Sequence, residues 1–172
     1  NARKLVTGSF GVDQPDDDGY HNTGVNARIG HKFDNNAELE ASYMRSQGRT
    51  EYDGNFQNKT KFINQVAALS GSMDLHANWR STLRLGQSID TNRNFAPDGP
   101  LSTRFDTMRW NATWLNDIIL HDDHQLLVGS DFRFDEIDST EKFSKNSRYD
   151  VGIFGELHSH VLDNHFVNAS LR

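Results

Sequence analysis

Apolar and polar residues alternate with a period of two along most of the chain. In 23–33, Val25, Ala27 and Ile29 fall on one face, while Asn26 and Arg28 fall on the other. Such alternation is typical of β-strands, whose successive side chains point to opposite faces. The pattern recurs in 38–46, 62–73, 79–85, 109–118, 126–134, 149–157 and 167–171. With 3–7 as a clipped strand, the sequence predicts an all-β fold of about eight or nine antiparallel, up-and-down strands.

Short and long connections alternate between these strands. Short turns are predicted at 34–37, 75–78, 121–124 and 159–163, and long polar loops at 8–22, 48–61, 89–104 and 137–148. Short turns at one end and long loops at the other are typical of transmembrane β-barrels. Phe33, Trp79, Trp110 and Tyr149 lie near strand ends on the apolar faces, as interfacial aromatic girdles do. A transmembrane barrel is therefore predicted. A soluble β-sandwich, in which these aromatic residues would be core, is the alternative.

The composition agrees with a barrel wall. The chain has 172 residues, of which 35% are hydrophobic and 10% aromatic, and its formal net charge is -6. The apolar fraction is low for a globular domain, but the many aromatic residues argue against disorder. The acidic balance disfavours a general nucleic-acid binder, and the absence of cysteine excludes thiolate chemistry. The apolar runs are too short for a membrane helix, and the first ten residues do not form a signal peptide.

The polar faces of the predicted strands carry many long charged side chains. We expect these groups to form charge networks inside a wide or plugged lumen, because the interior of an eight-stranded barrel is narrow. Counting 3–7 as a strand gives about nine strands, an odd number that disagrees with a complete single-chain barrel. Residues 1–172 are therefore interpreted as part of a larger barrel. The inward-facing charges are Arg28, Glu38, Glu40, Arg80, Arg84, Arg109 and Asp131.

Several loop and strand motifs resemble TonB-dependent outer-membrane receptors for cobalamin (vitamin B12). The resemblance begins at the acidic stretch QPDDDGY of 14–20 and the stretch GRTEYDG of 48–54. It continues through LGQS at 85–88, STRFDT at 102–107, WLND at 114–117 and DVGIF at 150–154. This resemblance implies a 22-stranded barrel in the bacterial outer membrane, which takes up a corrinoid with energy relayed by the TonB complex. The plug domain and the TonB box of that family are expected to lie outside these 172 residues.

The acidic loop is a candidate calcium site. Adjacent carboxylates repel one another, and Ca²⁺ prefers clustered oxygen ligands of this kind, although a solvated acidic loop is the alternative interpretation. In the family that the chain resembles, calcium orders the extracellular loops. The positions that match its acidic ligands are Asp16 and Asp18, together with Asp53 from the next long loop. Asp17 matches a position where the family tolerates a non-acidic residue.

Other candidate residues follow from the predicted loops. Hydrogen-bonding and aromatic residues at the loop tips are expected to contact a large, polar corrinoid, and we select Tyr20, Tyr52, Phe56 and Asn94. The histidine pairs His121/His124 and His158/His160 have the residue type for Zn²⁺, but they lie at predicted turns where polar residues are common. No serine has a recognisable nucleophile context, so an enzyme is not predicted.

Three alternative functions stay open at this point. The first is a TonB-dependent siderophore receptor, and the second is a structural or adhesin-like barrel without a transport role. The third is a soluble β ligand-binding protein. A membrane barrel would contact outer-membrane lipid, whereas the soluble protein would not.

Overall fold

A computed structural model describes residues 18–97, 99–162 and 165–172. These residues form one antiparallel sheet of eight strands, in which every strand pairs with its neighbours in sequence. The strands are β1 (Tyr20–Lys32), β2 (Glu38–Glu51), β3 (Lys59–His76), β4 (Trp79–Phe95), β5 (Leu101–His121), β6 (His124–Ser139), β7 (Ser147–Leu162) and β8 (His165–Leu171). The predicted all-β, up-and-down architecture is confirmed. The predicted strand at 3–7 lies outside the described residues.

The strands are longer than the sequence pattern predicted, and the loops are correspondingly shorter. The predicted long loops at 48–61, 89–104 and 137–148 were wrong in extent, because the strands leave only 52–58, 96–100 and 140–146 between them. Most residues on both faces of the strand ends are polar there, so the alternation disappears although the backbone ladder continues. At the opposite end, the connections are 33–37, 77–78 and 122–123. The structure confirms tight turns there, and the connections at the other end remain longer on average.

The turn 33–37 shows how a short connection closes. The Phe33 amide donates to the Ala37 carbonyl at 2.8 Å, and the Asn36 amide donates to the Phe33 carbonyl at 3.1 Å. Asn36 has a φ of 60°, a left-handed conformation that asparagine tolerates better than most residues. The Asn35 side-chain oxygen accepts from the Ala37 amide. The sequence of the turn therefore fixes the register of β1 against β2.

One face of the sheet is apolar across its whole width. In the middle of that face, apolar residues lie directly opposite one another on seven successive strands. This apolar row is Ile29, Ala41, Leu69, Leu85, Ala112, Phe132 and Val151. No apolar side chain among the described residues is buried, and Ile29 and Ile153 are 75% and 76% exposed. No second layer formed by residues 18–97, 99–162 or 165–172 therefore packs against the apolar face.

A row of aromatic residues borders the apolar row toward the longer loops. Trp110 lies opposite Phe134, and Phe134 lies opposite Tyr149, on β5, β6 and β7. The same row continues toward β2: Gln87 lies opposite Trp110, Ala67 lies opposite Gln87, and Tyr43 lies opposite Ala67. Trp79 lies at the other end of the same face. The predicted placement of aromatic residues on the apolar face near the strand ends is confirmed for Trp79 and Tyr149, whereas Trp110 lies on that face at the middle of β5.

The sheet is open within the part of the chain that the structure describes. β1 pairs only with β2, β8 pairs only with β7, and β1 and β8 are not in contact. The same residues contain no helix long and apolar enough to cross a membrane.

Candidate ligand-binding site at the loop end

A hydrogen-bonded chain of neutral side chains runs from the 52–58 loop across β3, β4 and β5, at the end that carries the longer loops. The Tyr52 hydroxyl lies 3.3 Å from the Thr60 hydroxyl, which donates to Asn94 Oδ1 at 2.6 Å. Asn94 Nδ2 donates in turn to Thr103 Oγ1 at 2.9 Å. Register places these groups together, because Thr60 lies opposite Asn94 and Asn94 lies opposite Thr103. We refer to Tyr52, Thr60, Asn94 and Thr103 as the loop-end network.

The 52–58 loop is fastened onto this network. Gln57 Nε2 donates to Thr103 Oγ1 and to Ser102 Oγ, both at 3.2 Å. The backbone supports the same placement, since the Tyr52 amide donates to the Asn58 carbonyl and the Asn58 amide donates to the Phe95 carbonyl. The loop is therefore held against β4 and β5 by side-chain and main-chain bonds, which orders it before any ligand binds.

The structure brings together three of the four predicted ligand contacts. Tyr52 and Asn94 belong to the loop-end network, and Tyr20 lies in the same cross-strand row, opposite Thr50, which faces Thr60. Tyr20 and Asn94 were predicted in loops, but they lie in β1 and β4. Phe56 is separate from the network: it lies in the 52–58 loop and is 86% exposed.

Sequence reasoning missed three members of this site: Gln57, Thr60 and Thr103. Each is an ordinary polar residue, and the motif STRFDT at 102–107 contains Thr103 but did not single it out. Their proximity depends on strand register, which pairs residues 34 and 9 positions apart for Thr60–Asn94 and Asn94–Thr103. A periodic polar pattern alone carries no signal for these contacts.

The predicted calcium ligands are only partly described. Asp16 lies outside the described residues, as does Asp17, whereas Asp18 is half-buried and Asp53 is exposed. The backbone brings their segments together, because the Glu51 amide donates to the Gly19 carbonyl at 2.7 Å. Asp18 directly precedes Gly19, and Asp53 lies two residues after Glu51, so each of the two segments joined by this bond carries a carboxylate next to it.

The donor chemistry of these carboxylates suits Ca²⁺, which binds oxygen ligands. Glu51 is a further carboxylate at this place that the sequence analysis did not select, and it forms an ion pair with Lys59 at 3.3 Å. Within 18–97, 99–162 and 165–172, no three His, Asp or Glu side chains are grouped so as to hold a metal. The described residues alone thus supply part of a ligand set at most.

The histidine pairs come together at the opposite end of the sheet. His121, His124, His158 and His160 line one open depression of about 420 Å³. The rings of His121 and His124 are 6.1 Å apart, and His158 is engaged by Asn168 at 2.9 Å and Glu156 at 3.2 Å. In the part of the chain that the structure describes, these side chains do not form a three-ligand metal group.

The face opposite the apolar rows carries the charged side chains that were expected to form networks. Asp135 is the centre of the largest group: it accepts from Arg109 at 2.5 Å and from Arg148 at 2.9 Å, and Arg133 lies 3.6 Å away. Other pairs on this face are Arg28–Glu40, Lys32–Glu38, Arg80–Glu38, Arg80–Asp74, Arg133–Asp150 and Arg172–Asp131. The expected charge network is present, although Arg84 has no ion-pair partner among the described residues.

Comparison with known proteins gives no family assignment. The chain matches no protein-family model, and no curated protein or solved structure is significantly similar to it.

Proposed function

We propose that this chain is a wall segment of a TonB-dependent outer-membrane receptor that takes up cobalamin or a related corrinoid. The observation that supports the membrane part of this proposal is the two-faced, single-layer sheet. One face is apolar across seven strands and packs against no other part of the described chain, and the other is covered by ion pairs. In water, an uncovered apolar face of this size would be unstable, whereas lipid on one face and a polar lumen on the other satisfy both.

The single layer also argues against the soluble alternative. A β-sandwich buries the apolar faces of two sheets against each other. Here the eight strands form one sheet, and the described apolar side chains remain at least partly exposed. A closed soluble barrel would place its apolar face inward, and the ion pairs would then lie on its outer surface. The length of the strands, from 13 to 21 residues in β1 to β7, exceeds the ~9–11 residues that span a bilayer.

The chemistry of the loop-end network supports a large, amide-rich ligand. Tyr52, Thr60, Asn94, Thr103 and Gln57 are all uncharged, and together they offer hydroxyl and amide groups that both donate and accept. A corrinoid presents many peripheral amides, which pair with such groups without a charge on either side. The ferric complex of an acidic siderophore would instead require cations at this place. The network therefore favours cobalamin over the siderophore alternative.

In this proposal, Asp16, Asp18 and Asp53 hold Ca²⁺ between the segment before β1 and the segment after β2. Calcium would remove the repulsion among the carboxylates and join the two segments near Tyr20 and Tyr52. The ion has a structural role, and this chain performs no chemical reaction on the ligand. Energy from the TonB complex would act through a plug region, as the resemblance to the cobalamin receptors implies.

A calcium-dependent titration tests the proposal. The natural polypeptide that carries this sequence is titrated with cyanocobalamin in outer-membrane vesicles. One titration contains about 1–2 mM Ca²⁺, roughly the physiological concentration for extracellular sites, and the other contains a chelator. We expect saturable binding that weakens about tenfold in chelator and in the Asp18→Asn/Asp53→Asn variant. Asp34→Asn is the matched control, because Asp34 is an exposed aspartate in the turn at the opposite end.

Two outcomes would contradict parts of this proposal. Binding that is indifferent to calcium and to both aspartate substitutions would remove the calcium site. The proposed membrane location would be wrong if the protein were monomeric and soluble without detergent and did not float with phospholipid vesicles.

A further inference from the structure

A row of basic residues crosses five strands on the apolar side of the sheet, close to the longer loops. His21 lies opposite Arg49, Arg49 opposite Lys61, Lys61 opposite Arg93, and Arg93 opposite Arg104. We refer to these five residues as the basic row. They share a face with the aromatic row, because positions an even number of residues apart on a strand point to the same side. Neither the calcium site nor the loop-end network uses them.

Three members of the basic row are free of carboxylate partners among the described residues. Arg49, Lys61 and Arg93 are exposed, and none of them forms an ion pair there. Lys61 instead lies over the Phe95 ring, with Nζ 5.1 Å from its centroid. Adjacent strands are ~4.8 Å apart, and like charges directly opposite one another are destabilising.

The acidic groups nearby are already engaged. Glu51 pairs with Lys59, and Asp106 and Asp138 both pair with Arg104 at the end of the row. In the next row toward the aromatic row, Thr23, Gln47, Ile63 and Thr91 are uncharged. That row ends in Asp106 and Asp138, the two carboxylates that pair with Arg104. Three adjacent cations thus remain uncompensated by neighbouring carboxylates in the described part of the chain, and an external anion would remove their repulsion.

The position of the row identifies the kind of anion. Along β1, His21 lies six residues from Ala27, which is opposite Tyr43 of the aromatic row, and six residues correspond to roughly 20 Å along the strand. With strands tilted by ~40°, the basic row lies about 15 Å beyond the aromatic row along the membrane normal. That height is above the acyl chains and within the reach of a tall phosphorylated headgroup. A soluble polyanion would have no reason to bind the side of the wall that continues into the apolar face.

We propose that Arg49, Lys61 and Arg93 bind the phosphates of a glycolipid headgroup in the membrane leaflet at the loop end. This inference rests on the proposed membrane wall. The lipid would contact the apolar face with its acyl chains and the basic row with its phosphates, so that one molecule covers both surfaces. Arginine and lysine near a charged leaflet each add to such binding.

Lipid retention in detergent tests this proposal. The natural polypeptide that carries the sequence is incubated in detergent with diphosphoryl lipid A, with its dephosphorylated form, or with phosphatidylcholine, and bound lipid is counted by native mass spectrometry. We expect wild type to retain diphosphoryl lipid A preferentially, and Arg49→Gln/Lys61→Gln/Arg93→Gln to bind it on the order of a hundredfold more weakly. Arg49→Lys/Arg93→Lys should keep most of the binding, because it keeps the charge.

Lys142→Gln/Lys145→Gln is the control for loss of positive charge at the same end, since both lysines are exposed in the 140–146 loop. It should bind diphosphoryl lipid A like wild type. Equal retention of diphosphoryl lipid A by wild type and the triple variant would overturn the inference. Displacement of the bound lipid by about 10 mM inorganic phosphate would also overturn it, because it would indicate a site for free anions.

Failure of this inference differs visibly from failure of the proposed function. If the inference alone is wrong, the protein still inserts into phosphatidylcholine vesicles but shows no preference for phosphorylated lipid. If the membrane wall is wrong, the protein is soluble without detergent and retains no lipid of any kind.

Discussion

Arg109 Nε donates a hydrogen bond to Asp135 Oδ1 across β5 and β6 at 2.5 Å. Asp135 is only 6% exposed, and Arg148 Nε donates to its other carboxylate oxygen from β7 at 2.9 Å. This aspartate therefore joins three consecutive strands on the charged face. The negative charge of Asp135 offsets the repulsion between its two guanidinium partners, and a neutral side chain would leave that repulsion uncompensated.

We expect Asp135→Asn to lower the free energy of unfolding by about 2–3 kcal/mol, because two charge-assisted bonds are lost while the arginines remain. Urea-dependent unfolding in phosphatidylcholine vesicles measures this difference. Asp150→Asn is the control: its side chain is 56% exposed and pairs with Arg133 alone, so the expected loss is under about 1 kcal/mol. Equal effects of the two substitutions would show that Asp135 does not organise the wall.

Asn94 occupies the centre of the loop-end network, and its amide serves Thr60 and Thr103 at once. We expect Asn94→Ala to weaken cyanocobalamin binding about tenfold, since it frees two hydroxyls and loosens the attachment of the 52–58 loop. Isothermal titration in detergent is the measurement. Asn26→Ala is the matched control, because Asn26 is exposed on the same face and has no side-chain hydrogen bond in the described structure. The binding role would be excluded if Asn94→Ala bound cyanocobalamin like Asn26→Ala.

The three tryptophans lie at different heights on the apolar face. Trp110 belongs to the aromatic row, Trp79 lies opposite Ile118 near the tight turns, and Trp114 lies midway between Trp110 and Ile118 along β5. Four residues on each side correspond to roughly 13 Å along the strand.

Fluorescence quenching by brominated lipids measures these depths. In single-tryptophan variants, with the other two replaced by phenylalanine, we expect Trp114 to be quenched most by bromine near the acyl-chain ends. Trp79 and Trp110 should be quenched most by bromine close to the headgroups. Quenching of all three by the same lipid, or by none, would contradict the proposed orientation of the sheet in the bilayer.

Trp114 also carries a hydrogen-bond donor on the apolar face, and its indole Nε1 donates to Ser81 Oγ on β4 at 2.8 Å. In the proposed membrane orientation, this bond would satisfy a polar group at a depth where water is absent. A double-mutant cycle with Ser81→Ala and Trp114→Phe should give a coupling free energy of about 0.6–1 kcal/mol in vesicle unfolding experiments. Ser81→Ala in the Trp114→Phe background should have almost no effect. A coupling near zero would mean that this bond adds no stability in the bilayer.

The sequence predicted the centre of each described strand and the ends at the tight turns, but not the ends toward the longer loops. Around Ile29 and Leu69, apolar side chains alternate with polar ones because one face is apolar and the other is charged. Near Arg49 and Arg93 both faces are polar, so the period of two is lost and these residues were assigned to loops. The backbone hydrogen bonds of the ladder do not depend on the polarity of the side chains, and they extend the strands there.

The candidate site was predictable only in its residue types. Tyr52 and Asn94 were selected as hydrogen-bonding groups near loops, and the structure connects them through Thr60. Gln65, which does not fit the apolar alternation of β3, is explained only by its neighbour: Arg45 lies directly opposite and donates to it at 3.4 Å. Such cross-strand partners are not visible in a local pattern.

The sequence by itself determined that this protein is built from two-faced antiparallel strands with tight turns at one end. Alternation and turn residues act over a few positions, so they are legible along the chain. Only the tertiary structure decided which residues meet. The rows of aromatic, basic and hydrogen-bonding side chains, and the pairing of Asp135 with Arg109 and Arg148, depend on a register that is set between strands. A shift of one residue would keep the composition of every strand but turn its apolar face toward the charged side.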